Sequence, residues 1–151
     1  MKNLYILFLV FGFYSVSAQI SFRTGNIQLD SDLNEINTHA STDFGAFKAD
    51  MKLSYNVSEK KIEYMRGSLE MAPGEIYLAL EISKIAKVPL DDVLSVYKTD
   101  KSKGWGFIAR QAGIKPGSDE FHQLKNSASL KKGKEAGKNK SKGKEKKKKK
   151  Q

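Results

Sequence analysis

The chain has 151 residues, with 27 Lys and Arg against 17 Asp and Glu, and it contains no cysteine. Disulfides and thiolate metal sites are thereby excluded, and a chain of this size holds one hydrophobic core but not two. The net charge of +10 is concentrated at one end: Ser127–Gln151 carries twelve Lys and two Glu, whereas Gln19–Asn126 carries fourteen basic and fifteen acidic residues.

The first eighteen residues read as a secretory signal. Lys2 supplies a positive start, Leu4 to Tyr14 is an apolar run, and Val16-Ser17-Ala18 offers small residues before a cleavage site at Gln19. The run falls short of the about 20 apolar residues that spanning a membrane requires. The expected mature chain is Gln19–Gln151, periplasmic or extracellular. Gln19 to Gly25, partly alternating through Ile20 and Phe22, reads as a loose arm or an extended lead-in.

Asp30, Ser31 and Asp32 form a capping cluster, with Glu35 three residues beyond Asp32. Leu33, Ile36, Ala40, Phe44, Phe47 and Met51 then recur at helical spacing, which predicts one helix to about Leu53. Tyr55 to Val57 reads as a turn. Ser58 is a good N-cap, and Val57 with Ile62 has the spacing of a hydrophobic staple, so a second helix runs to Arg66 or Leu69. Asn56-Val57-Ser58 also matches a glycosylation acceptor, a short motif of little weight on its own.

Pro73 to Val88 is the stretch around which the chain is organised. Pro73 suits a first helical turn, where its missing N–H is no loss. Leu78, Ala79, Ile82, Ile85 and Ala86 share one face, and Ile76, Tyr77, Leu80 and Val88 add apolar surface elsewhere. A helix apolar nearly all round belongs inside a bundle. Val88-Pro89 ends it. Asp91 and Asp92 open a further helix with a Leu90, Val93, Leu94, Tyr97 face, and Lys98, Lys101 and Lys103 crowd its far end. Trp105, Ile108, Ala109 and Ala112 repeat the spacing before Gly113, at a left-handed cap position. After Pro116-Gly117, Ser118 caps a last short helix with Phe121 and Leu124 facing inward. The predicted fold is all-α, a small bundle of about five or six helices over residues 19–126. From Ser127 onward Leu130 is the sole large apolar residue, which predicts a disordered tail over 127–151.

Chemistry-bearing motifs are sparse. Gly104-Trp105-Gly106-Phe107-Ile108-Ala109 formally fits the dinucleotide fingerprint, but a helix and a lysine-rich turn precede it where that motif needs a strand. His39 and His122 are far apart and no Cys supplements them, so neither a metal nor a cofactor is expected. No nucleophile–base set stands out, and the expectation is a non-enzyme. A hydrolase or ligand-binding bundle with its site between helices is a further possibility.

The tail is the strongest functional feature. Lys131, Lys132, Lys134, Lys138, Lys140, Lys142, Lys144, Lys146, Lys147, Lys148, Lys149 and Lys150 form a polycation suited to lipopolysaccharide, anionic lipid or acidic polysaccharide. The tail lacks aromatics for base stacking and Arg for bidentate phosphate contacts, so its attraction would be Coulombic and salt-sensitive. The alternative is nucleic-acid binding through a helix–turn–helix-like pair, Leu90 to Ala112, together with the tail.

Gly104-Trp105-Gly106, Ile108-Ala109, Gly113-Ile114-Lys115-Pro116-Gly117-Ser118 and Glu120-Phe121-His122-Gln123-Leu124-Lys125 resemble a pattern of small exported bacterial proteins. Segments like Ile76–Leu80 and Val93–Lys98 precede it there. The resemblance covers Met71 to Lys125, with a weaker echo in Ser21 to Ala49, and excludes the lysine tail. It implies an exported helical domain and no catalytic residue.

Overall fold

The computed structural model describes residues 20–148, and the side chains of residues 20–137. Seven α-helices occur among the described residues, and no strand: α1 (Ile27–Thr42), α2 (Phe44–Tyr55), α3 (Glu59–Gly67), α4 (Pro73–Ala86), α5 (Leu90–Asp100), α6 (Trp105–Gln111) and α7 (Asp119–Lys148). A single 3-10 turn, Lys101–Lys103, joins α5 to α6. The fold is all-α. The expected signal at residues 1–18 lies outside the described residues.

The helix count exceeds the expected five or six because the first predicted helix is two. Asp43 leaves helical geometry at φ −144°, and its carboxylate accepts from the Ala46 N–H at 3.0 Å, capping α2. The apolar stripe survives the break: Leu33, Ile36, Ala40, Phe47 and Met51 are all buried. The start of α1 also lies earlier than Asp30–Asp32. Asn26 caps it by accepting from the Leu29 N–H at 2.9 Å. Asp30 instead takes hydrogen bonds from the Thr24 N–H and hydroxyl, 3.1 and 2.7 Å away.

Ser58 does cap α3, accepting from the Lys61 N–H at 3.2 Å. Pro73 opens α4, where Glu75 reaches back to the Ala72 N–H at 2.9 Å. Ile76, Tyr77, Leu78, Ala79 and Ile82 are buried on several sides of α4, which packs against α1, α2, α3, α5 and α7. Each large side chain so buried contributes about 1.5 to 3 kcal/mol. The helix ends shortly before Pro89, with Lys87 left-handed at φ 56°.

Residues 20–25 are neither loose nor peripheral. Asn34 holds both backbone groups of Ile20, each at 3.1 Å. Phe22 is fully buried against Gly74, where an added Cβ would lie 2.7 Å from its ring. The next residues seal the start of α6: the Trp105 and Gly106 N–H groups donate to the Phe22 and Arg23 carbonyls at 2.9 and 3.0 Å. Gly106 is needed there, because a Cβ would meet the Thr24 carbonyl oxygen at 2.6 Å.

The largest correction concerns the C-terminal segment. The last helix is not short and the chain does not lose order at Ser127; α7 runs for 30 residues. The body therefore does not stop at Asn126. Leu124, Ala128, Lys131 and Glu135, spaced four, three and four apart, form its buried stripe, and Leu130 points outward. Low apolar content misled here because two stripe positions are filled by an ion pair, Lys131 Nζ to Glu135 Oε1 at 2.8 Å.

Candidate functional site

The basic segment divides in two. Lys131 is 7% exposed and pairs with Asp50 of α2, its ammonium also 5.7 Å from the Phe47 ring centre. Lys132 lies 2.6 Å from Asp32 and 3.8 Å from Glu35, both on α1. Successive helical residues diverge by about 100°, so two neighbouring lysines reach two different helices. The hydrogen bond with Asp32 holds the Lys132 ammonium above the usual lysine range. These two lysines, expected to bind polyanions, are engaged by internal carboxylates. Lys134 is exposed. Lys138, Lys140, Lys142, Lys144, Lys146, Lys147 and Lys148 continue on the same helical backbone, their side chains outside the described residues, as are Lys149 and Lys150 altogether.

Beneath the point where α7 crosses α2 and α4 is a polar hollow of about 470 Å³, lined by Ser54, Tyr55, Glu81, Lys84, Lys131 and Lys134, among others. Glu81 is 4% exposed in the middle of the apolar helix α4. The Tyr55 hydroxyl donates to it. Burial, then the neighbouring Tyr77 and Glu81, pushes the Tyr55 phenol far above the ordinary tyrosine range, and burial does the same for Tyr77. Both phenols therefore stay protonated, which suits them to donating hydrogen bonds and not to acting as bases. The sequence did carry a signal for Glu81, a lone carboxylate within Ile76 to Ile82.

A second carboxylate, Glu75, joins three helices. Its Oε1 accepts from Trp105 Nε1 at 3.2 Å, and its Oε2 is 3.4 Å from the Tyr97 hydroxyl. The Tyr97 and Trp105 rings lie 5.4 Å apart. This explains the Gly104-Trp105-Gly106 sequence as packing: the glycines admit the arm at residues 22–24, and Trp105 fills the bundle.

The helix–turn–helix-like pair is less open than its sequence suggests. Trp105, Ile108 and Ala109 of the seven-residue α6 are buried, and its first two N–H groups are taken by the arm. A DNA-reading helix presents its N-terminal residues to base edges. Here that end is covered. His39 and His122 sit on α1 and α7, and no group of three or more metal-ligating side chains occurs among the described residues. No described helix is long and apolar enough to cross a membrane.

Comparison with protein-family models, curated proteins and solved structures finds no match.

Proposed function

We propose that the chain is an exported, non-enzymatic helical protein that docks on polyanions through the C-terminal part of α7. The observation that carries this reading is the segregation of charge. With Lys131 and Lys132 paired internally, ten lysines from Lys134 to Lys150 remain, against Glu145 as the only acid beyond Glu135. The attached body is nearly neutral. A dense array of ammonium groups draws anionic surfaces together without selecting among them. Lipopolysaccharide, anionic lipid and acidic polysaccharide are the targets that an exported chain meets. Export is supported by the signal pattern of residues 1–18.

The test is a salt titration of binding to lipopolysaccharide, anionic vesicles and duplex DNA. The mature chain is compared with one stopped at Gly137, which keeps the packed part of α7. Binding that needs residues beyond Gly137 and weakens steeply with salt on every target supports the reading. Undiminished binding by the shortened chain refutes it. The mass of the purified protein checks export separately, since retention of Met1 in a cytosolic fraction would remove that part.

A further inference from the structure

A second hollow borders the polar one and shares part of its lining. This second hollow, about 500 Å³, lies between the end of α2 and the start of α5 and is walled largely by Leu53, Val57, Leu80 and Leu90. Ser54, Tyr55 and Lys84 line both. The two hollows adjoin at these shared residues, where the Lys84 ammonium lies 5.2 Å from the Tyr55 ring centre. Each lies within the about 300 to 1,000 Å³ of small-molecule sites.

The groove carries more cations than anions: Lys84, Lys131 and Lys134 line it against Asp50 and Glu81. Asp50 is paired with Lys131, and Glu81 lies beneath the surface, accepting from the Tyr55 hydroxyl. Among the described residues neither Lys84 nor Lys134 forms an ion pair. Two cations thus stand at the polar end of an apolar trough. Apolar surface also stays open at each end, where Leu53 is 82% and Leu130 69% exposed. An acidic head group and a hydrocarbon chain are the complementary shapes, the head gaining charge-assisted hydrogen bonds and the chain losing contact with water.

We propose that this groove binds an anionic amphiphile, its single apolar chain lying along Leu53, Val57, Leu80 and Leu90 and its acidic head held between Lys84 and Lys134. The site is distinct from the polycation beyond Gly137, and either can fail without the other. A carboxylate and a phosphate ester share the required chemistry.

Calorimetric titration of the purified full chain with laurate, dodecyl phosphate and dodecyl maltoside, each below its micelle concentration, tests this, with inorganic phosphate as a head-only control. The expected result is one site for an anionic probe, with the maltoside and inorganic phosphate at least about tenfold weaker, the scale of one charged contact. Lys84→Gln and Leu53→Ser, both at solvent-facing positions, should each weaken binding about five- to tenfold while the circular-dichroism melting curve stays unchanged. Binding of only one anionic probe keeps the proposal and identifies the head. Equal binding of the maltoside, or wild-type affinity in both variants, overturns it. So does binding at many sites that vanishes when the chain stops at Gly137. A chain that binds no probe overturns it as well, and dimerisation through Leu53 in that case would make the groove an interface between copies.

Discussion

The Lys132 ammonium stands 2.6 Å from the Asp32 carboxylate, a hundred residues earlier in the chain. Asp32 is 2% exposed, and the Gln28 amide donates to the same oxygen at 2.9 Å. Beside it, Lys131 turns to Asp50. The start of the basic segment is therefore a clamp that holds α7 to carboxylates of α1 and α2.

A chain stopped at Asn126 should consequently be less stable than one stopped at Gly137. It loses the buried Ala128 and the Lys131–Glu135 pair and leaves Asp32 and Asp50 without their lysines. The expected difference in melting temperature is about 10 °C, corresponding to roughly 2 to 3 kcal/mol in a domain of this size. Identical melting curves for the two chains would mean that residues 127–137 add nothing to the fold.

Gly74→Ala should destabilise the protein by about 1 to 3 kcal/mol, the usual cost of overpacking. Its new methyl would sit 2.7 Å from the Phe22 ring and 2.8 Å from the Leu33 carbonyl oxygen, and the backbone on that side cannot yield without disturbing α1. Phe22→Ala in the same chain should recover part of the loss in a double-mutant cycle, because it vacates the colliding atoms. Purely additive effects would argue against the contact.

Trp105 is the sole tryptophan and is 3% exposed, so native fluorescence should be blue-shifted and should move to the red on unfolding. Trp105→Phe keeps a ring against Tyr97 but removes the donor to Glu75, for an expected loss of about 1 to 2 kcal/mol. Trp105→Ala should cost about 3 to 5 kcal/mol. Denaturant titrations of both variants decide whether the hydrogen bond or the ring volume dominates.

Stability should decline on the alkaline side. Burial raises the Tyr55, Tyr77 and Tyr97 phenols, and the Asp32 hydrogen bond raises Lys132. The folded chain therefore keeps protons that the unfolded chain releases once pH passes the ordinary values of 10.0 for tyrosine and 10.5 for lysine. Their contribution is complete below those values and is lost as pH rises above them. Urea melts from about pH 7 to about pH 11 should show the midpoint falling only beyond about pH 10. Tyrosinate absorbance of the native protein should lag behind that of the unfolded chain, and Tyr55→Phe should flatten the fall.

Local signals were reliable where local chemistry was sufficient. Pro73, the Ser58 cap and the Ser118 cap each act within one turn, and each lies at the expected helix start. The break at Asp43 was hidden because α2 resumes in phase, so Phe47 and Met51 remain on the stripe begun by Leu33. The roles of Glu75 and Glu81 are not legible locally, because their partners, Trp105 and Tyr55, are 30 and 26 residues away.

By itself the sequence determined the all-α class, the central position of Pro73 to Ala86 and the collection of positive charge at one end. Periodicity, caps and composition are properties of neighbouring residues, and they needed no partner to be read. Only the tertiary structure decided that the arm at residues 20–25 is built into the bundle, that α7 continues past Asn126, and which lysines serve the fold. A lysine is held against the body only when a carboxylate lies within a few ångströms to offset its lost hydration. Asp32 and Asp50 meet that condition for Lys132 and Lys131 through the packing of α1 and α2 against α7, a relationship that no local pattern encodes.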